Sequence, residues 1–306
     1  MTDPLSSQPT VPGEVSPDPE APHPSAEAAP ATTAAAEAAL PEDLRAPWDF
    51  VDMVIFIFFA IGILFVVNTV LATLAIGFAF VKPESIEAFA MTSAGFIVLR
   101  QIVWFSLLLT YLYAVVRVRS EAPAWRTLGW RGLPGRATTV GGRELWKPAL
   151  RTLGQIVTLL AGGALLALFV QVATLFVGTE AKLPIQALFT DRRSILYMMG
   201  FGLAVAPLVE ETIFRGFLYP VLARRFGVIA GVIFTGLFFG LMHAEQLWGG
   251  WGEIGLLVVV GIVFTAARAW SGSVAVSYLL HLGYNGLLFL GTYVATGGLR
   301  HFQSGR

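Results

Sequence analysis

The stretch ILYMMGFGLAVAPLVEETIFRGFLYPVL, Ile195 to Leu222, is apolar along almost its whole length and is interrupted by three charges, Glu210, Glu211 and Arg215. A helix needs about 20 apolar residues to cross a bilayer core, and this stretch is long enough. A lone charge at the bilayer centre costs roughly 2.5 to 3.5 kcal/mol, so three of them require partners or a task. On an α-helix Glu211 and Arg215 stand at i and i+4, with the acid on the amino-terminal side, the better orientation for an ion pair. Glu210 is rotated by about 100° from Glu211. The spacing predicts a division of labour in which Arg215 neutralises Glu211 as a supporting pair and Glu210 is left for chemistry.

The rest of the chain agrees with a membrane setting. Hydrophobic residues make up 56% of the 306 and charged residues 13%, and the mean hydropathy is +0.71. Twenty basic residues balance 20 acidic ones, which leaves no basic field for nucleic acid. No cysteine is present. Disulfides, thiolate catalysis, thiolate zinc sites and palmitoylation are therefore excluded. Residues 1–47 are rich in Pro, Ala and Glu and read as a disordered tail, because they hold too little apolar surface to offset ordering entropy. Residues 48–299 read as an all-α bundle, a polytopic integral membrane protein of seven to eight transmembrane helices, and residues 300–306 as a carboxyl-terminal tail.

Seven candidate spans run from Val54 to Phe80, Ile97 to Val116, Gln155 to Val177, Ile195 to Leu222, Val228 to Ala244, Ile254 to Ala267 and Val274 to Ala295. An eighth element would arise if the fourth span broke at Pro207 or Pro220. Arg117, Arg119, Arg126, Arg131, Arg136, Arg143, Lys147 and Arg151 concentrate between the second and third spans. The positive-inside rule places that loop, and with it the amino terminus, in the cytoplasm. Tail composition and a bias to Arg over Lys suggest a bacterial cytoplasmic membrane. Asp49 and Asp52, at the mouth of the first span, read as interfacial.

Later spans supply companions for the charges. His243 closes Phe239-Gly-Leu-Met-His243, and His281 and Asn285 stand at i and i+4 on one face of the last span. Helix rise puts Glu210, His243, His281 and Asn285 at about 13 to 27 Å from the inner edge, all at membrane depth. Such a set suits hydrolysis. A carboxylate in a low-dielectric pocket gains proton affinity, so Glu210 can take a proton from water while His243 orients that water. His281 and Asn285 can donate to the oxygen of the attacked carbonyl. Glu210, His243 and His281 also form a carboxylate-and-two-imidazole set of the kind that holds catalytic zinc, although no His-Glu-x-x-His run is present. A proton-coupled transporter would place Glu and His inside a bundle as well, but a pure relay has no special need for the Asn285 amide.

In order and spacing, Glu210-Glu211-Thr-Ile-Phe-Arg215, Phe239 to His243 and His281-Leu-Gly-Tyr-Asn285 resemble the three motifs of the type II CAAX prenyl protease family, the CPBP intramembrane metalloproteases. The resemblance covers about Leu183 to Ala295, with the protease motifs in 195–295. It implies an intramembrane endopeptidase in which Glu210 and His243 activate water and His281 and Asn285 form the oxyanion hole, with Glu211 and Arg215 supporting. It implies either no cofactor or zinc, and a peptide or protein substrate entering from the membrane. Bacterial relatives have been linked to bacteriocin processing or immunity. A non-proteolytic immunity or scaffold factor that retains the motifs is therefore the alternative alongside the transporter. The sequence leaves the oligomeric state open.

Overall fold

The fourth span runs as one helix from Arg192 to Phe226, and the computed structural model shows how it passes two prolines without breaking. The structure describes residues 40–134, 139–140, 143–144, 148–178, 183–188 and 191–300. Two π-helical segments, Phe201–Val205 and Thr212–Leu218, each end two residues before a proline, Pro207 and Pro220. A proline ring within an α-helix clashes with the carbonyl four residues back and removes a donor. A π turn widens the helix at that point and lets it continue. The break considered at Pro207 or Pro220 is therefore absent, and no eighth element arises from it.

Six helices among the described residues are long and apolar enough to cross a membrane. They are α1 (Phe50–Gly77), α2 (Ala94–Arg119), α3 (Pro148–Val177), α4 (the composite Arg192–Phe226), α6 (Trp251–Ser271) and α7 (Val274–Ala295). The seventh expected span is the shorter α5 (Val228–Leu241). Its 14 residues rise about 21 Å, short of the roughly 30 Å hydrocarbon core. It ends three residues before the expected Ala244, and turns carry the chain on towards Gly250. The chain is accordingly a multi-pass, all-helical integral membrane protein. A two-residue antiparallel ladder, Thr139–Val140 with Arg143–Glu144, is the extended pairing among the described residues.

Polar side chains start several helices. Asp49 accepts from the backbone N–H groups of Val51 and Asp52, and Asp52 accepts in return from that of Asp49. These bonds, the one from Asp52 foremost, hold the Asp49 carboxyl below the usual range. Asp191 caps α4 through Arg193 and Ser194, and the Ser194 hydroxyl likewise lowers its proton affinity. Ser93 and Ser273 cap α2 and α7. Asp52 also pairs with Arg119 at 2.6 Å, which joins the start of α1 to the end of α2.

The helices α3 and α7 pack backbone to backbone. A Cβ on Gly163 would lie 1.9 Å from the Leu280 carbonyl oxygen, and one on Gly283 would lie 2.0 Å from that of Leu160. Only glycine permits this approach, and it fixes the helix that carries His281 and Asn285. The main core, with Phe214, Phe217, Phe239, Phe264 and Tyr284 among its members, lies around α4.

The tail boundary expected at residue 47 is corrected by the structure. The packed unit begins at Pro41. Leu44 is buried against Tyr219 and Ala223, Asp43 pairs with Arg268 at 3.0 Å, and Arg224 donates to the carbonyls of Leu44, Ala46 and Trp48. Local composition hides these partners because the hydrogen-bonded ones sit 176 to 225 residues along the chain. The remainder of the expected tail, 1–39, and residues 301–306 lie outside the described residues.

Candidate active site

The π segment of α4 carries the central charge. Arg215 is wholly buried and donates to Glu211 at 2.8 Å, to the Thr265 hydroxyl at 3.2 Å and to the Gly261 carbonyl at 2.9 Å. Its guanidinium lies 4.6 Å from the ring centroid of Phe239. Arg215 is thus satisfied by an anion, a hydroxyl, a carbonyl and an aromatic face, as a buried cation must be.

Glu211 has a second partner. Its Oε1 stands 3.0 Å from Nδ1 of His281 on α7. Beside Arg215 this carboxylate is an acceptor, so the proton of the contact sits on Nδ1 of His281. The other imidazole nitrogen, Nε2, faces Oε2 of Glu210 at 3.8 Å. Two adjacent acids of one helix therefore address the two nitrogens of one histidine. They differ in access, with the Glu211 side chain 0% exposed and that of Glu210 19% exposed. The acid that does not bond to Arg215 is also the more exposed of the two.

His243 and Asn285 flank this group. The ring of His243 packs on Phe239 at 4.9 Å and that of His281 packs on the same phenyl at 5.7 Å. Nδ1 of His243 lies 2.8 Å from the Phe239 carbonyl. A carbonyl only accepts, so Nδ1 carries a proton and, in the neutral ring, Nε2 carries the free lone pair. Asn285 donates from Nδ2 to the Gly202 carbonyl at 2.7 Å, which ties the last helix to the first π segment. An amide nitrogen holds two protons, so one N–H remains. The structure thus brings Glu210, Glu211, Arg215 and His281 into one cluster, sets His243 across a single phenyl ring, and places Asn285 one turn beyond His281.

Among the described residues no group of three His, Cys, Asp or Glu side chains is placed to hold a metal ion. Glu210, His243 and His281, the set considered for zinc, do not fit one as they stand.

Sequence reading did not find Thr265, the Gly261 carbonyl or Phe239 as partners of Arg215. A backbone carbonyl and a lone threonine leave no pattern. Asp43 could have been suspected, because Arg268 lies in an apolar helix with no nearby acid to balance it.

Residues 192–287 match the Rce1-like family, type II CAAX prenyl endopeptidase. The segment is an Rce1-like domain. It takes in α4 to most of α7, and so every residue of the cluster. Curated proteins and solved structures give no match to the chain. The Rce1-like domain marks a CAAX-protease-like intramembrane endopeptidase in general terms.

Proposed function

We propose that this protein hydrolyses peptide bonds within the membrane, with Glu210 as the general base. The observation that carries the reading is the unequal pair of acids: Glu211 is closed off by Arg215 and His281, while Glu210, on the adjacent face, keeps a partly open carboxylate against the same histidine. In this reading Glu210 takes a proton from water, the resulting hydroxide attacks the scissile carbonyl, and Glu210 returns the proton to the leaving amine. His243 orients the water through Nε2. The oxyanion is met by His281 and by the second N–H of Asn285. Because Nδ1–H of His281 is committed to Glu211, His281 offers Nε2–H only as the imidazolium. The Glu211 carboxylate at Nδ1 supplies the counter-charge for that form. The substrate is a protein or peptide that reaches the site from the bilayer, and the protein works in the cytoplasmic membrane of a bacterium with its amino terminus inside.

The test is purification in detergent and incubation with a peptide library, with wild type set beside Glu210→Gln. The expected result is cleavage by wild type alone, with both proteins equally folded. Equal cleavage by both would remove Glu210 from the chemistry. Metal content read on the same wild-type preparation is expected to fall well below one ion per chain, and stoichiometric zinc that leaves together with activity would overturn the metal-free route.

A further inference from the structure

The segment Thr212–Leu218 is held at both ends by tryptophans from distant parts of the chain. At its start, the Trp130 indole N–H donates to the Thr212 hydroxyl at 3.0 Å, and that hydroxyl donates to the Leu208 carbonyl at 2.7 Å. Near its end, the Trp48 indole N–H donates to the Phe217 carbonyl at 2.9 Å, with the two rings stacked at 5.1 Å. Between them, Gly216 lies so close to the loop before α3 that a Cβ would sit 2.6 Å from the Leu128 carbonyl oxygen. That loop also grips the start of α7: Val274 N–H donates to the Gly129 carbonyl at 2.9 Å, and the Ser273 hydroxyl donates to that of Arg131 at 2.8 Å. One loop therefore touches the helix of Glu210 and Glu211 and the helix of His281.

A π segment is a poorer conformation than the α-helix around it, and it persists where surroundings enforce it. Here the Tyr219 N–H reaches back to the Phe214 carbonyl, the five-residue step of a π turn. Relaxing one such turn to α would rotate the helix on one side of it by about 100° relative to the other. Glu210 and Glu211 lie on one side of the segment, and the end of α4, anchored through Arg224, lies on the other.

We propose that Trp48 and Trp130 are positioning residues that fix the π register of Thr212–Leu218 and so hold Glu210 and Glu211 against His281. Its catalytic consequence rests on the hydrolytic reading above, whereas the register itself is open to a measurement that needs no turnover.

The chain has no cysteine, so Leu196→Cys and Arg225→Cys, at exposed positions of α4 on either side of the segment, provide a unique pair for spin labels. Interspin distances are measured on the full chain in detergent, in the otherwise wild-type protein and with Trp48→Phe, Trp130→Phe or Thr212→Val. The phenylalanines keep a ring and lose the donor. Valine keeps the branched shape and loses the acceptor. The expected result is a shifted or broadened distribution in each variant, with Thr212→Val reproducing Trp130→Phe and the double variant no worse than either. On a cleavable peptide, each variant without labels is expected to lose about tenfold in kcat, on the scale of one hydrogen bond, with KM nearly unchanged. Thermal unfolding is the folding control, and Thr212→Val carries the test if a tryptophan variant does not fold. Unchanged distances in all variants overturn the proposal whatever the turnover, as does wild-type kcat despite a shifted distribution. Shifted distances in a protein whose wild type cleaves nothing would overturn the hydrolytic reading and leave the tryptophan clamp in place.

Discussion

Exchange of one carboxylate oxygen for an amide separates the two glutamates. Glu211→Gln leaves Arg215, wholly buried, without its anion and weakens the contact with His281. Breaking a buried pair in this way typically costs about 3 to 5 kcal/mol. The expected outcome is a marked fall in thermal midpoint and yield, in contrast to a well-folded Glu210→Gln. A stable but inactive Glu211→Gln beside an active Glu210→Gln would reverse the roles. Asn285 has two duties to separate. Loss of its bond to Gly202 costs stability on the order of 1 kcal/mol. Loss of an oxyanion donor lowers turnover by about 100- to 1000-fold. Both Asn285→Ala and Asn285→Asp are expected to show the kinetic loss with KM little changed, and Asn285→Asp the larger one because its carboxylate repels the developing charge. Near-normal kcat with a lowered midpoint would leave Asn285 the packing duty alone. The Glu211–Arg215 pair was legible from an i, i+4 spacing. The bonds of His281 to Glu211 and Asn285 to Gly202 were not, because they join helices whose relative rotation depends on π segments that apolar periodicity does not register.

At the scale of helices, the contact of α3 with α7 decides where His281 stands. Gly283→Ala puts a methyl carbon at about the place where Leu160 offers a carbonyl oxygen 2.0 Å away, so the helices must separate. Overpacking of this kind costs roughly 1 to 3 kcal/mol. The variant is expected to unfold at lower temperature and to lose turnover, since His281 lies two residues earlier on the same helix. Gly291→Ala, with nothing within 4 Å of the new carbon, is the control. Equal stability of the two would show that the contact is looser than described. Hydropathy located all seven elements but set most of their ends three to seven residues from where the helices start and stop. Along α5 the apolar run continues into turns, because composition does not mark where hydrogen bonding stops. In α4 each proline suggested a break that a preceding π turn avoids.

For the whole molecule, the segment Pro41–Trp48 fastens the first helix to the carboxyl-terminal ends of α4 and α6. Arg268 is 0% exposed at its side chain while Asp43 is 16% exposed, so the pair is only partly shielded from water. Asp43→Asn is accordingly expected to lower stability by about 1 to 3 kcal/mol, less than a fully buried break, measured as a drop in thermal midpoint. An unchanged midpoint would show that the carbonyl contacts of Arg224 suffice to hold the segment. Composition assigned these residues to the tail because Glu42, Asp43 and Arg45 look like solvated charge, and only the tertiary partner shows otherwise.

The shortness of α5 bears on how water reaches a hydrolytic site inside lipid. A helix about 9 Å shorter than the surrounding hydrocarbon, by its rise per residue, favours local thinning of the bilayer, snorkelling of its flanking side chains or oligomerisation, and thinning is the response with a consequence for water. His243 lies two residues beyond its last turn, where headgroups and their hydration would be drawn inward. On this account water is expected to enter beside His243. In liposomes of graded acyl length, turnover is expected to fall as the lipid thickens while folding is preserved. Turnover independent of thickness would mean that water arrives by another route.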